Sequence, residues 1–294
     1  MSSPKTFTRR EVLKTATLGA LALPLLGPAS CATQPPAPAH GAAGREYGLR
    51  LGVATYSTRL MSLDETIATL KVLRLTNAGL YKAHCNWETA TADECRAVGE
   101  KLRAAGIALT GSGVVNLTTN EAAARKAFEN VRAAGMATMI CKPEIAALPL
   151  VEKLAKEYDQ RVAIHNHGPE DSIYPSPADA WKAAQSLDAR IGLCIDVGHA
   201  ARAGANPVAA IREYAPRLYD LHMKDTVAVA GAKTDIPVEV GAGRLDIRGV
   251  LRALLDIKYA GVVAFEYEKV AANPVTGLAE SVGYVRGVLA ALAG

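Results

Sequence analysis

Two histidines at alternate positions close a short aliphatic run in residues 161–171, RVAIHNHGPED. Side chains alternate across a strand, so His165 and His167 share a face with Ala163 while Asn166 points away. Gly168-Pro169 stops the strand just beyond both imidazoles. The pattern recurs three times downstream: IGLCIDVGH at 191–199, LYDLHMKD at 218–225 and VVAFEYE at 262–268 each run apolar and then end in ionisable side chains. His165, Asp196, His222 and Glu266 therefore read as donors to one divalent metal ion, assembled from four strand ends. Two imidazoles and two carboxylates make a mixed nitrogen and oxygen set, which suits Mn, Co, Fe or Zn better than Ca or Mg. Such an ion polarises a bound carbonyl and stabilises the enediolate left when a proton is removed alpha to it. Glu266 is the expected base, because a carboxylate bound through one oxygen still accepts a proton at the other. Lys224, two residues past His222 on the same face, is expected to reach the same cavity and to hold a carbonyl or an oxyanion. His167 is expected to bind substrate hydroxyls or relay a proton, or else to orient His165. Glu268 reads as a rim or supporting residue. Arg244, beside Gly241-Ala242-Gly243, is a weaker candidate for substrate binding, as are Lys142, Glu144, His84 and Trp87 for lining the pocket.

A repeating unit of strand and helix must position these groups. Apolar or β-branched runs predict strands at 49–55, 77–81, 107–111, 136–141, 161–165, 191–196, 218–223 and 262–266. Amphipathic stretches between them predict helices at 63–75, 92–105, 121–134, 148–158, 177–187, 207–214 and 247–255, with a last one at 277–292. Ser62 before Asp64-Glu65, Ser176 before Pro177 and Asn206 before Pro207 fit helix starts, and Gly106 and Gly135 fit helix stops. Eight such units in about 245 residues predict a single-domain α/β protein, a (β/α)8 TIM barrel, whose usual size is ~250 residues. An open doubly wound sheet has fewer strands and a glycine-rich first turn, and Thr55-Tyr56-Ser57-Thr58 is no phosphate cradle.

The 294 residues are 50% hydrophobic and 21% charged, with a net charge of +4. Residues 1–31 hold Lys5, Arg9, Arg10 and Lys14 against Glu11, so without that excess of three the net charge is +1, which leaves no electrostatic footprint for nucleic acid. Thr8-Arg9-Arg10 followed by the apolar run Ala16–Leu26 and small residues resembles a twin-arginine signal peptide over 1–32, which predicts export to the periplasm. The apolar run is shorter than the ~20 residues of a spanning helix. Cys31 leaves a lipid anchor as an alternative, although Pro28 fits a lipoprotein signal poorly. An Ala/Pro-rich linker is expected over 33–46 and the barrel over 47–294. Cys85, Cys95, Cys141 and Cys194 show no metal-ribbon spacing; a Cys85–Cys95 disulfide is one option that spacing alone does not fix.

The stretches IHNHGPED with YPSP at 174–177, GLCIDVGHAARAG at 192–204, LHMKD at 221–225, VGAGRLDI at 240–247 and FEYE at 265–268 resemble the xylose isomerase-like barrel superfamily, in particular its sugar phosphate isomerase/epimerase group. The resemblance implies one divalent metal at the carboxyl ends of strands five to eight, held by Asp196, His222 and Glu266. It places His199 at a substrate contact. On strand five the family's keto-sugar epimerases have Glu where this chain has His165, which removes one of two symmetric bases. The implied activity is a sugar or keto-sugar isomerase or epimerase. A lyase or hydratase on keto-sugars or keto-glycosides, or a non-catalytic exported sugar- or metal-binding protein, stands as an alternative. An abasic-site endonuclease is disfavoured, because its Asp-x-His pair after strand seven is missing.

Overall fold

The computed structural model describes residues 44–228 and 235–294. The expected leader over 1–32 with Cys31, and residues 33–43 of the expected linker, lie outside the described residues.

Eight parallel strands close on themselves: Leu49–Ala54 (β1), Asn77–Leu80 (β2), Ala108–Ser112 (β3), Thr138–Pro143 (β4), Arg161–His165 (β5), Ile191–Asp196 (β6), Leu218–Met223 (β7) and Val262–Phe265 (β8). β8 meets β1 through Val262↔Arg50 to Phe265↔Val53, and β1 meets β2 through Val53↔Ala78, so the barrel leaves no open edge. The outer ring is Leu63–Val72 (α1), Ala92–Ala104 (α2), Glu121–Ala133 (α3), Leu148–Glu157 (α4), Pro177–Ala184 (α5), Pro207–Glu213 (α6), Ile247–Asp256 (α7) and Val275–Ala293 (α8). The expected (β/α)8 TIM barrel is what forms.

Local sequence explains the helix ends. Ser62 with Glu65, Thr91 with Glu94 and Ser176 with Asp179 each close a reciprocal capping box, which satisfies backbone donors that the first turn leaves unpaired. Gly106 and Gly135 adopt φ of +78° and +79° after α2 and α3, a conformation that costs glycine least. α1 stops at Val72, short of the expected Leu75, because Arg74 turns the chain at φ +54°.

The period-two alternation of the strands separates two environments. Val263 and Phe265 of β8 join the large core shared with Leu254 of α7 and Leu278 of α8, whereas Val262 and Ala264 face inward onto Ala54. Fully burying a Leu or Phe in that outer core contributes roughly 1.5–3 kcal/mol, so the outward faces hold the barrel together. The inward faces carry the polar groups.

Four short pieces escape the periodicity reading because each is too brief to show a period. Val115–Leu117 pairs with the end of β4. Asp225–Val227 and Ile236–Val238 form an antiparallel pair after β7, and Val197–Arg202 makes a short helix directly after β6. Arg45–Glu46 also pairs with β1, so the barrel begins inside the stretch expected to be linker. Glu46 is buried there and accepts from Arg286 Nε at 2.6 Å and Nη2 at 2.7 Å, which ties α8 to the start of the barrel.

Candidate metal centre

Each proposed donor sits where its strand ends. His165 is the last residue of β5 and Asp196 the last of β6, and the side chain of Asn166 clamps the two ends together: its Nδ2 donates to Asp196 O at 3.1 Å and its Oδ1 accepts from Asp196 N at 2.9 Å. Asp196 also caps the short helix that follows. Its Oδ1 accepts from His199 N at 2.8 Å, which directs Oδ2 into the barrel. His222 stands on β7, and Glu266 follows β8 with its amide still donating to Met223 O at 3.1 Å.

The four side chains converge. His165 Nε2 lies 3.2 Å from His222 Nδ1, which lies 3.1 Å from Glu266 Oε2. Asp196 Oδ2 is 3.7 Å from His165 Nε2 and 3.9 Å from His222 Nδ1. One ligand atom from each residue falls within 4.8 Å of every other, so the cluster can hold a metal ion. Donors about 2.0–2.1 Å from a tetrahedral ion stand roughly 3.3–3.4 Å apart, and the four separations bracket that value. Asp196 Oδ2 is buried with no regular hydrogen bond, and what faces it are the two imidazoles and the ammonium of Lys224 at 3.1 Å. Burial pushes His165 down to about 4, so its imidazole is neutral, the form that ligates. The donor set fits a divalent transition ion.

Lys224 completes the charge pattern. Its side chain is 4% exposed, and its Nζ lies 3.1 Å from Asp196 Oδ2, 2.9 Å from Glu266 Oε2 and 3.2 Å from Glu268 Oε1. The two carboxylate oxygens that face the imidazoles thus also face an ammonium. Gly198 makes room for this lysine, since a Cβ there would lie 2.8 Å from Lys224 Cβ. Burial alone would lower Lys224 and raise Asp196 and Glu266. Their mutual attraction outweighs it, so both acids are held well below the ordinary carboxylate range and the lysine above its own. Glu268 is pushed up instead, by burial and by its acidic neighbours.

A cavity of about 280 Å³ opens over this floor, lined by His165, His167, His199, Lys224, Glu266 and Glu268 among others. His199 is nearly buried, and burial pushes it down to about 3, so it is neutral. Arg202 Nη1 can only donate, so at 2.9 Å it makes His199 Nδ1 the acceptor and leaves the proton on Nε2, 3.2 Å from Lys224 Nζ. His167 exposes just over half of its side chain to the cavity, with Nδ1 3.6 Å from Asp171 Oδ2. Asp171 in turn accepts from the amides of Ile173 and Tyr174 at 2.9 and 3.0 Å and ion-pairs with Lys142, which also lines the cavity.

Other candidates lie elsewhere. Arg244, expected at the substrate, is not brought to this cavity; Asp235 holds its Nε at 2.5 Å, and it lines a separate groove with Ala201, Gly204 and Leu245. The neighbouring glycine loop is no phosphate cradle, because the amides of Gly241, Gly243 and Leu245 already donate to the Asp225 carboxylate at 3.0–3.1 Å. Trp87 is buried and donates to Leu80 O, His84 bonds Thr55 and Thr66 beside the barrel, and Glu144 is exposed. Sequence reasoning underrated Glu268 and passed over Asp171 and Asn166, although all three sit inside motifs already singled out.

Residues 145–288, which span β5 to β8, match the xylose isomerase-like TIM barrel family. No curated protein matches the chain. Among solved structures, 3-keto-D-glucoside 4-epimerase from E. coli aligns over 81% of this chain and 99% of its own at 14% identity and a TM-score of 0.63. The probable 3-DHS dehydratase of petrobactin synthesis from Bacillus anthracis aligns over 81% and 98% at 12% identity and 0.65. The IolI protein with a bound zinc atom aligns over 83% and 99% at 14% identity and 0.66. At these identities the likeness is one of fold.

Proposed function

We propose that this protein is a divalent-metal-dependent isomerase or epimerase acting on a sugar or keto-sugar by removing a proton alpha to a carbonyl. The observation that carries the reading is the convergence of His165, Asp196, His222 and Glu266 on one point, with Lys224 bridging the two acids. A divalent ion held by these four side chains supplies Lewis acidity to a substrate carbonyl and the hydroxyl beside it. Glu266, ionised throughout the physiological range, takes the alpha proton, and Lys224 and the Nε2 proton of His199 meet the oxyanion that develops. Those two donors face each other across 3.2 Å, and an oxygen acceptor between them relieves the opposition. The epimerase among the structural neighbours acts on a keto-sugar, which agrees with this substrate class.

A lyase or dehydratase is the second reading, favoured by one feature of the cavity wall. Among the described residues the acids that line the cavity, Glu266 and Glu268, both follow β8, while β4 contributes Lys142 and the end of β5 contributes His167. One strong base on one face suffices for isomerisation or elimination, whereas epimerisation needs a second proton carrier on the other face. Incubating the metal-loaded protein with ketoses, aldoses and keto-glycosides in deuterated water tests both. Deuterium at the alpha carbon with a new isomer supports the first reading, and deuterium with loss of a leaving group supports the second. Glu266→Gln should remove nearly all of the label. Label entering that variant at the wild-type rate would assign the base elsewhere, and no label with any substrate would remove the catalytic reading altogether.

A further inference from the structure

Cys194 lies on β6 two residues before Asp196, on the same inward face, and is fully buried. Its apolar neighbours there are Ile140 and Ala163. Its sulfur and one ring nitrogen each from His165 and His222 lie within 4.8 Å of one another. These are the imidazoles that also converge with Asp196 and Glu266, so one histidine pair belongs to two donor sets, one oxygen-rich and one carrying sulfur. His165 Nδ1 is buried without a hydrogen-bond partner.

We propose that His165, Cys194 and His222 form a second, thiophilic metal seat, deeper in the barrel than the one shared with Asp196 and Glu266. This rests on the reading that the two imidazoles ligate metal. A set of two imidazoles and one thiolate selects Zn2+, Co2+ or Cd2+, whereas two imidazoles and two carboxylates accept the harder Mn2+. Three protein donors leave a fourth position open for water or another ligand. Loading this seat breaks the S–H bond, releases its proton to solvent and forms the sulfur–metal bond with no change in oxidation state. Because both seats need both histidines, one ion occupies the chain at a time. Soft ions are therefore drawn away from the acids that face the cavity.

Titration of the metal-free, full-length protein with Co2+, followed by ultraviolet and visible absorption, tests this. The expected result is a thiolate-to-cobalt charge-transfer band in the near ultraviolet that grows with the d–d bands in the wild type. It should vanish in Cys194→Ala and Cys194→Ser while the d–d bands persist. Wild-type d–d bands without the charge-transfer band, or a band that survives both substitutions, overturn the second seat and leave the four-donor centre standing. No cobalt spectrum at all removes both.

Discussion

Lys224 is buried against three acids, and its charge decides how the centre behaves without metal. Removing one partner from a buried, hydrogen-bonded ion cluster costs about 3–5 kcal/mol, because the remaining charges stay buried and uncompensated. Lys224→Met should therefore lower the unfolding free energy of the metal-free protein, read from urea denaturation, by an amount in that range, with a matching fall in midpoint. Added Mn2+ should restore more stability to the variant than to the wild type, since the ion supplies the missing positive charge; an unchanged midpoint would show that Asp196 and Glu266 do not depend on the ammonium. Acid makes a second test at this scale. Burial pushes His165 to about 4 and His199 to about 3, and lowers His84 as well. Unfolding returns each to about 6.5, so between those values the unfolded chain binds more protons and stability falls with pH. Asp220, which burial pushes up to about 6, Glu268 and His222, both also raised, act in the opposite sense, while Asp196 and Glu266, held low, add to the loss as the pH approaches about 4. The metal-free protein should lose on the order of a few kcal/mol between about pH 6.5 and about pH 4, and a urea midpoint that rises over that interval contradicts the assignment.

Loop architecture is where local sequence and final structure part company. Asp225 accepts from the amides of Thr226, Gly241, Gly243 and Leu245 at 2.9–3.1 Å, so one carboxylate ties residue 226 to residues 241–245 between β7 and α7. Asp225→Ala leaves one buried and three part-buried backbone donors without their acceptor, which costs about 1–3 kcal/mol. Hydrogen exchange at residues 241–245 should accelerate roughly ten- to a hundredfold, each factor of ten being about 1.4 kcal/mol, while the amides of β5 and β6 stay protected; uniform exchange across the barrel would refute a local role. The strands and helices were legible because each buries one face, and burial writes a period into the sequence. The Asp225 loop was not, because its bonds join residues up to 20 apart and impose no repeat. The surroundings of Arg244 were not legible for the same reason: proximity to a glycine pair suggested a ligand, and the structure sets its guanidinium against Asp235, brought close by the short antiparallel pair after β7.

At the scale of the whole barrel, four adjacent strands each deliver one donor to one end, and parallel register fixes which residues those are. Asp196 stands opposite His222 and His165 opposite Cys194 in the ladder, so the convergence follows from strand pairing rather than from loop conformation. That is why the four positions could be read from spacing, whereas the lysine's contacts and the cavity wall could not. α8 fits the same account. It is long and apolar enough to cross a membrane by length and composition, yet it buries Leu278, Val282, Val285 and Leu289 in the core around the barrel. The central claim is that one divalent ion binds where the four strands end, and equilibrium titration of the chelated, full-length protein with Mn2+ tests it most directly. The prediction is saturable binding of one ion per chain in the wild type and its loss in Asp196→Ala; no saturable binding in the wild type, or undiminished binding in the variant, would contradict it.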